Sequence, residues 1–231
     1  MGSTDRTRLA RAALRVLVAL WATGCSNPFA PSTTKPPDSE RPPAEKATTP
    51  EIAMDNLARS FNERDKDLYE SILDPAFWFT ETDCRGDLVF ANGFEEELEI
   101  MGSRDSSSRG IFDRFRTIDW DFQTIERRTE LGREYPDAYE GDPDGHPEED
   151  WEVFRGRVEI LLLETKDEGY RVTGQVMNIK LRRGDDGLWR IVRWADDPLS
   201  GDCGDATESQ KPAAAAPAAW GAVRGGGAGA P

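Results

Sequence analysis

Residues 48–80 read TTPEIAMDNLARSFNERDKDLYESILDPAFWFT. Thr48 and Glu51 have the spacing of a capping box, and Pro50 suits a first helical turn. Met54, Leu57, Ala58 and Phe61 follow at i, i+3, i+4 and i+7, the apolar stripe of an amphipathic helix. A break at 62–65 leads to a second short helix, with Asp65 as its N-cap and Leu68, Ile72 and Leu73 turned inward. Asp74-Pro75 ends it, and 77–80 reads as a first strand.

Further along, 94–101 is predicted as a third helix with Leu98 and Met101 on its buried side, and Ile111, Phe112 and Phe115 mark a short apolar turn. The period then changes to two. Ile118, Trp120 and Phe122 alternate with Asp119, Asp121 and Gln123. A long strand over 153–163 puts Val158, Ile160 and Leu162 on one face; strands follow at 170–182 and 188–194, joined by the hairpin turn Asp185-Asp186-Gly187. Helices first and an antiparallel sheet afterwards make an α+β fold.

The chain has 231 residues with 44 acidic against 29 basic side chains, a net charge of −15. That balance excludes a general nucleic-acid binder, which needs clustered Lys and Arg. A single histidine excludes multi-His metal centres and leaves one candidate for a Ser-His-Asp arrangement, so neither metal nor cofactor is expected.

Arg6, Arg8, Arg11 and Arg15 precede the short apolar run 16–22, then Thr23, Gly24 and Cys25. The run falls short of the ~20 apolar residues that span a bilayer, and the pattern is that of an export signal. Ala22-Thr23-Gly24-Cys25 resembles the lipobox of bacterial lipoproteins, with Ala22 where Leu is usual. The resemblance implies cleavage before Cys25 and lipidation (palmitate) of that cysteine. With Ser26 following, it favours the outer membrane, the domain lying in the periplasm or at the cell surface. Removing 1–24 takes away four arginines and Asp5 and leaves −18, so the lipid rather than charge would hold the chain to a membrane.

Residues 25–49 then form a Pro-rich tether, with Pro28, Pro31, Pro36, Pro37, Pro42 and Pro43 among Ser, Thr, Lys and Glu. The domain is placed at 50–203 and a disordered tail at 204–231; 17 of the 20 residues 212–231 are Ala, Gly or Pro. With Cys25 lipidated, Cys84 and Cys203 remain, in a compartment that permits a disulfide between them.

The paired helices ending in Leu73-Asp74-Pro75, the segment Arg64-Asp65-Lys66-Asp67-Leu68-Tyr69 and the closing run Gly187–Asp196 (GLWRIVRWAD) resemble bacterial lipoproteins with a nuclear-transport-factor-2-like domain, cystatin-like and of ketosteroid-isomerase type. The resemblance implies a cone: a strongly bent antiparallel sheet packed on N-terminal helices, with a pocket at its wide end. Enzymes of that superfamily (ketosteroid isomerase, scytalone dehydratase, polyketide cyclases) carry Asp, His or Tyr there, whereas many relatives bind or dimerise.

The ligand-binding candidates are Trp78, Asp119, Trp120, Asp121, Arg193 and Trp194. Turned inward, Asp119 and Asp121 would make an acid/base pair of close carboxylates. Ile118 and Phe122 share the face of Trp120, which favours both aspartates in solvent. Arg193 would hold an anionic ligand beside Trp194, or pair with Asp196 or another acid. His146 sits in Asp144-Gly145-His146-Pro147-Glu148, within a stretch of nine acids and no Lys or Arg from 134 to 152, and reads as a surface histidine. Glu140, Asp142, Asp144 and Gly145 match the start of a calcium loop, but position 12 is Trp151, and a solvated acidic loop is the better reading. Without a histidine in the sheet, a nucleophile motif or a metal cluster, the reading is a non-catalytic domain binding a small apolar molecule or an envelope protein. The alternatives are a pocket enzyme moving a proton through a buried Asp, and a structural homodimer.

Overall fold

Thr49, not Thr48, starts the first helix: its hydroxyl accepts from the Ile52 N–H at 3.3 Å, one residue later than the capping box places it. Helix α1 (Pro50–Glu63) buries Ala53, Leu57, Ser60 and Phe61 and stops at Arg64, whose φ of 56° is left-handed. Asp65 then caps α2 (Lys66–Ile72) through the Leu68 N–H at 3.0 Å, so two caps in succession turn the chain within two residues. The computed structural model describes residues 42–83, 85–102, 109–137, 145–166, 168–197, 216–217, 220 and 223–224. Those from 44 onward form one compact unit.

Leu73 passes directly into β1 (Leu73–Thr82), followed by β2 (Leu88–Gly93), α3 (Phe94–Met101), α4 (Ile111–Arg114) and β3 (Thr117–Glu130). A short 3-10 turn (Gly132–Glu134), β4 (Trp151–Leu163), β5 (Gly169–Arg183), β6 (Trp189–Asp196) and β7 (Ala216–Pro217) complete the fold. The main strands lie in the order β2-β1-β6-β5-β4-β3, a bent and unclosed sheet packed on the helices. The architecture is α+β, with two departures from the expected antiparallel sheet: β1 runs parallel to β6, and β7 parallel to β5.

The bend has local causes. Val89 in β2, Ile125 in β3, Gly174 in β5 and Val192 in β6 are extra residues where the register shifts, and such bulges increase twist. Gly174 sits at φ 70°, a conformation that suits glycine, and its N–H is held by Glu159 at 2.9 Å.

The core centres on Phe61, which is fully buried. Its ring stacks on Trp120 at 4.4 Å and meets Tyr69, Phe112 and Trp220 edge-on at 5.5–5.7 Å. Asn62 ties the same helix end to β3: its Oδ1 accepts from the Trp120 N–H at 2.7 Å and its Nδ2 donates to the Trp120 carbonyl at 3.3 Å. The outer edge of β3 is thereby bonded by a side chain at the point where the Trp120 ring enters the core.

Two expectations change. The tail from 204 on is not wholly without structure, because β7 pairs in parallel with β5 at Tyr170 and Arg171, and Trp220, Val223 and Arg224 are buried. The i, i+3, i+4 spacing of these three puts them on one side of a helical turn. His146 is buried, not a surface residue: its ring lies between Tyr135 at 5.2 Å and Trp151 at 3.7 Å, nearly parallel to both. Stacking on two aromatics supplies the apolar shield that the surrounding acids do not. Cys25, Cys84, Cys203, Glu140, Asp142 and Asp144 lie outside the described residues.

Phe61→Ala is expected to cost about 3–5 kcal/mol in urea unfolding, the range for emptying a large aromatic site. A cost below about 1 kcal/mol would mean that another residue organises this core.

Candidate functional site

Inside the curve of the sheet, cross-strand register sets Phe154, Ile179, Trp194 and Phe79 in one row. Helix α3 closes one end. Glu97, Leu98 and Met101 form its buried stripe, so one glutamate of Glu95-Glu96-Glu97 is carried inward by helical spacing.

Glu97 is fully buried, and four side-chain donor groups converge on it. Tyr69 donates its hydroxyl to Oε1 at 2.5 Å, Asn92 donates to Oε2 at 2.8 Å, and the Arg224 guanidinium bonds both oxygens, Nη1 to Oε1 at 3.1 Å and Nη2 to Oε2. Arg224 Nη2 also reaches Asn92 Oδ1 at 3.0 Å, and its Cζ lies 3.8 Å from the centre of the Phe79 ring. Burial pushes the Tyr69 hydroxyl pKa well above its ordinary value, and the negative charge of Glu97 adds to the rise.

A second buried carboxylate, Asp196, lies deeper along the last strand. It accepts from the Trp194 indole at 2.8 Å and from Gln175 Nε2 at 3.0 Å, while Gln175 Oε1 accepts the Trp220 backbone N–H at 2.8 Å. Burial raises the Asp196 pKa well above the usual carboxylate range, with the charge of Arg224 opposing. Trp220 packs edge-on against the stacked pair of Phe61 and Trp120, with ring centres at 5.7 and 6.3 Å. The interior thus holds Trp220, Val223 and Arg224 from the C-terminal part of the chain.

The outer face of the sheet carries a cleft of about 360 Å³, lined by Thr80, Thr82, Arg128, Tyr135, Asn178 and Lys180 among others. At its floor the buried Glu130 accepts from Lys180 at 2.9 Å and from Arg128 at 2.8 Å, with His146 Nε2 3.6 Å away.

The six sequence candidates do not form one site. Trp120 and Trp194 are buried in the interior. Trp78 and Arg193 pair across strands on the outer face, where Arg193 lies over the Trp151 ring at 5.2 Å and donates to the Ala76 and Val192 carbonyls. Of the acids expected to pair with Arg193, Asp196 instead accepts from Trp194 and Gln175. Asp119 and Asp121 are exposed, since Trp120 takes the inward position on β3, and they make no buried acid pair. Sequence reasoning missed Tyr69, Asn92, Glu97, Gln175 and Arg224. Among the described residues no group of three or more His, Cys, Asp or Glu is placed to hold a metal ion, and no helix is long and apolar enough to cross a membrane.

Arg224→Met is expected to destabilise the chain by up to about 3–5 kcal/mol, because it leaves a buried carboxylate without its cation, and Glu97→Leu with Arg224→Met should recover most of the loss. A double variant as unstable as the single one would show that the ion pair is not what joins tail and cone. Asp196 supplies a pH signature. The folded state holds its proton more tightly than the unfolded chain, so its contribution is full below the ordinary value of 3.8 and is lost as pH climbs through the raised value. Asp196→Asn is expected to flatten that fall in urea midpoints as pH rises from about 4. An unchanged slope would assign the titration to another group.

No protein-family model matches the chain, and no curated protein does. Solved structures similar to it include an NTF2-like protein of unknown function in nutrient uptake from Rhodospirillum rubrum. That likeness has 10% identity and a TM-score of 0.41 and covers 65% of this chain and 98% of that one. An NTF2-like superfamily protein from Salmonella enterica shares 12% identity over 66% of this chain and 91% of its own, at a TM-score of 0.40. A hexachlorocyclohexane dehydrochlorinase from Novosphingobium barchaimii shares 15% over 64% and 86%, at 0.38. Enzymes and proteins of unknown function thus stand side by side among these structures, and scores below 0.5 carry nothing about the activity of this chain.

Proposed function

We propose that this chain is a lipid-anchored protein of the bacterial cell envelope, favouring the outer membrane, whose domain binds a protein partner and catalyses no reaction. One observation carries the binding reading: Trp220, Val223 and Arg224 of the C-terminal part are buried in the interior, where Trp220 and Arg224 engage its polar groups. Both interior carboxylates are spent on hydrogen bonds, Glu97 to Tyr69, Asn92 and Arg224, Asp196 to Trp194 and Gln175. Groups so engaged hold a ligand in place; a general acid or base needs a free face toward its substrate. The anchor rests on Ala22-Thr23-Gly24-Cys25 and the basic, briefly apolar segment before it.

A second reading, a pocket enzyme moving a proton through a buried aspartate, is favoured by Asp196, a desolvated carboxyl among aromatic rings with a raised pKa. It requires Trp220 to leave the interior, since that ring lies among Phe61 and Trp120.

Expressed at full length in a bacterial host, the chain is expected to incorporate labelled palmitate and to sediment with membranes, while Cys25→Ser stays soluble and unlabelled. An unlabelled, soluble wild type would refute the anchor. With its interior filled, the full chain should also give no thermal shift with small apolar probes such as a steroid. A saturable shift would refute the filled interior and restore the small-molecule alternative.

A further inference from the structure

The Glu97 site is built without the tail. Tyr69 comes from α2, Phe79 from β1, Asn92 from β2 and Glu97 from α3, and all four are buried. Their chemistry fits one kind of group. A planar fork with paired N–H donors can take both oxygens of Glu97, bond Asn92 Oδ1 at its side and lie on the Phe79 ring. A guanidinium does all of this at once, whereas an ammonium is a point charge that cannot donate along two parallel lines.

The occupant, by contrast, is held at few points. Pairing of β7 with β5 extends over two residues, and Trp220 is joined to the sheet by its N–H on Gln175. Three buried donors at this contact, Trp120 Nε1, Trp220 Nε1 and Arg224 Nε, have no acceptor among the described residues. Each is a desolvated group left uncompensated, which weakens the hold of this particular segment and leaves room for an occupant that satisfies them. Around the two anchoring side chains the segment is Ala, Gly and Val, so its recognisable content is a tryptophan and an arginine four residues apart. A chain of net charge −15 also draws cationic segments toward it.

We propose that the interior is a receptor for a Trp- and Arg-bearing peptide segment, which the chain's own Trp220–Arg224 fills in cis and a partner's segment of the same chemistry displaces. The proposal rests on the binding reading above and names the kind of partner. Binding of the partner then releases the C-terminal segment, so the affinity seen from outside is the intrinsic one reduced by the fraction of time the tail is docked.

The test uses the full chain and the peptide AAWGAVRGG, the sequence of residues 218–226, against the same peptide with lysine for arginine. Calorimetry is expected to show 1:1 binding of the arginine peptide, weaker by at least about tenfold for the lysine peptide. Arg224→Ala should bind the arginine peptide at least about tenfold more tightly than wild type, because its competing tail is weakened. In the labelled wild-type chain, saturating unlabelled peptide should speed exchange of the Trp220 amide by about tenfold or more, a readout that does not depend on any variant folding. An exchange rate unmoved by peptide, equal affinity for both peptides, or equal affinity of wild type and Arg224→Ala would each overturn the proposal. Those results would leave the tail as a fixed part of the core, while the anchored-binder reading stands or falls separately on palmitate labelling and the probe titration.

Discussion

Glu97 places a carboxylate where water does not reach, and in such a place a carboxylate is paired or loses its charge. The surrounding structure meets that demand from every side. Tyr69 on α2 and Asn92 on β2 supply neutral donors, and the cation arrives from the far end of the chain as Arg224. Because the guanidinium must reach the interior, Trp220 and Val223 are buried with it. A polar constraint at one helix thus decides the path of a segment whose composition has little capacity to order itself.

The sheet makes room for this arrangement. Bulges at Val89, Ile125, Gly174 and Val192 bend it, and α1 brings Phe61 into the curve while Asn62 fastens the helix to β3. Phe61, Trp120, Trp194 and Trp220 then fill what the bend opens, each ring meeting others at centroid distances of 4.4–6.4 Å. The outer face is of another kind: there Glu130 pairs with Lys180 and Arg128, and Arg193 lies over Trp151.

Much of the fold was legible because its signals are local. The stripe of α1, the Asp65 cap, α3 and the alternation of β3 to β6 depend on neighbours within a few residues. β2 was not read: it is short, it ends in Asn92-Gly93, and its apolar Leu88 and Val89 are exposed, so neither alternation nor a continuous run marks it. His146 was misjudged because its partners Tyr135 and Trp151 stand on either side of an acidic stretch that dominates the local reading. The interior site was hidden for the same reason, since Glu97 is one of three consecutive glutamates and only its place beside Leu98 and Met101 turns it inward. The tail did carry a signal. The three residues among its last 20 that are not Ala, Gly or Pro are Trp220, Val223 and Arg224, and all three are buried.

The most direct measurement of the central claim is the nitrogen NMR spectrum of the Arg224 side chain in the full-length protein, assigned by its loss in Arg224→Lys. A guanidinium clamped by Glu97 and Asn92 cannot turn freely about its Nε–Cζ bond, so separate, slowly exchanging Nη resonances are expected at neutral pH. A single averaged signal with rapid solvent exchange, the behaviour of an arginine in water, would contradict the account.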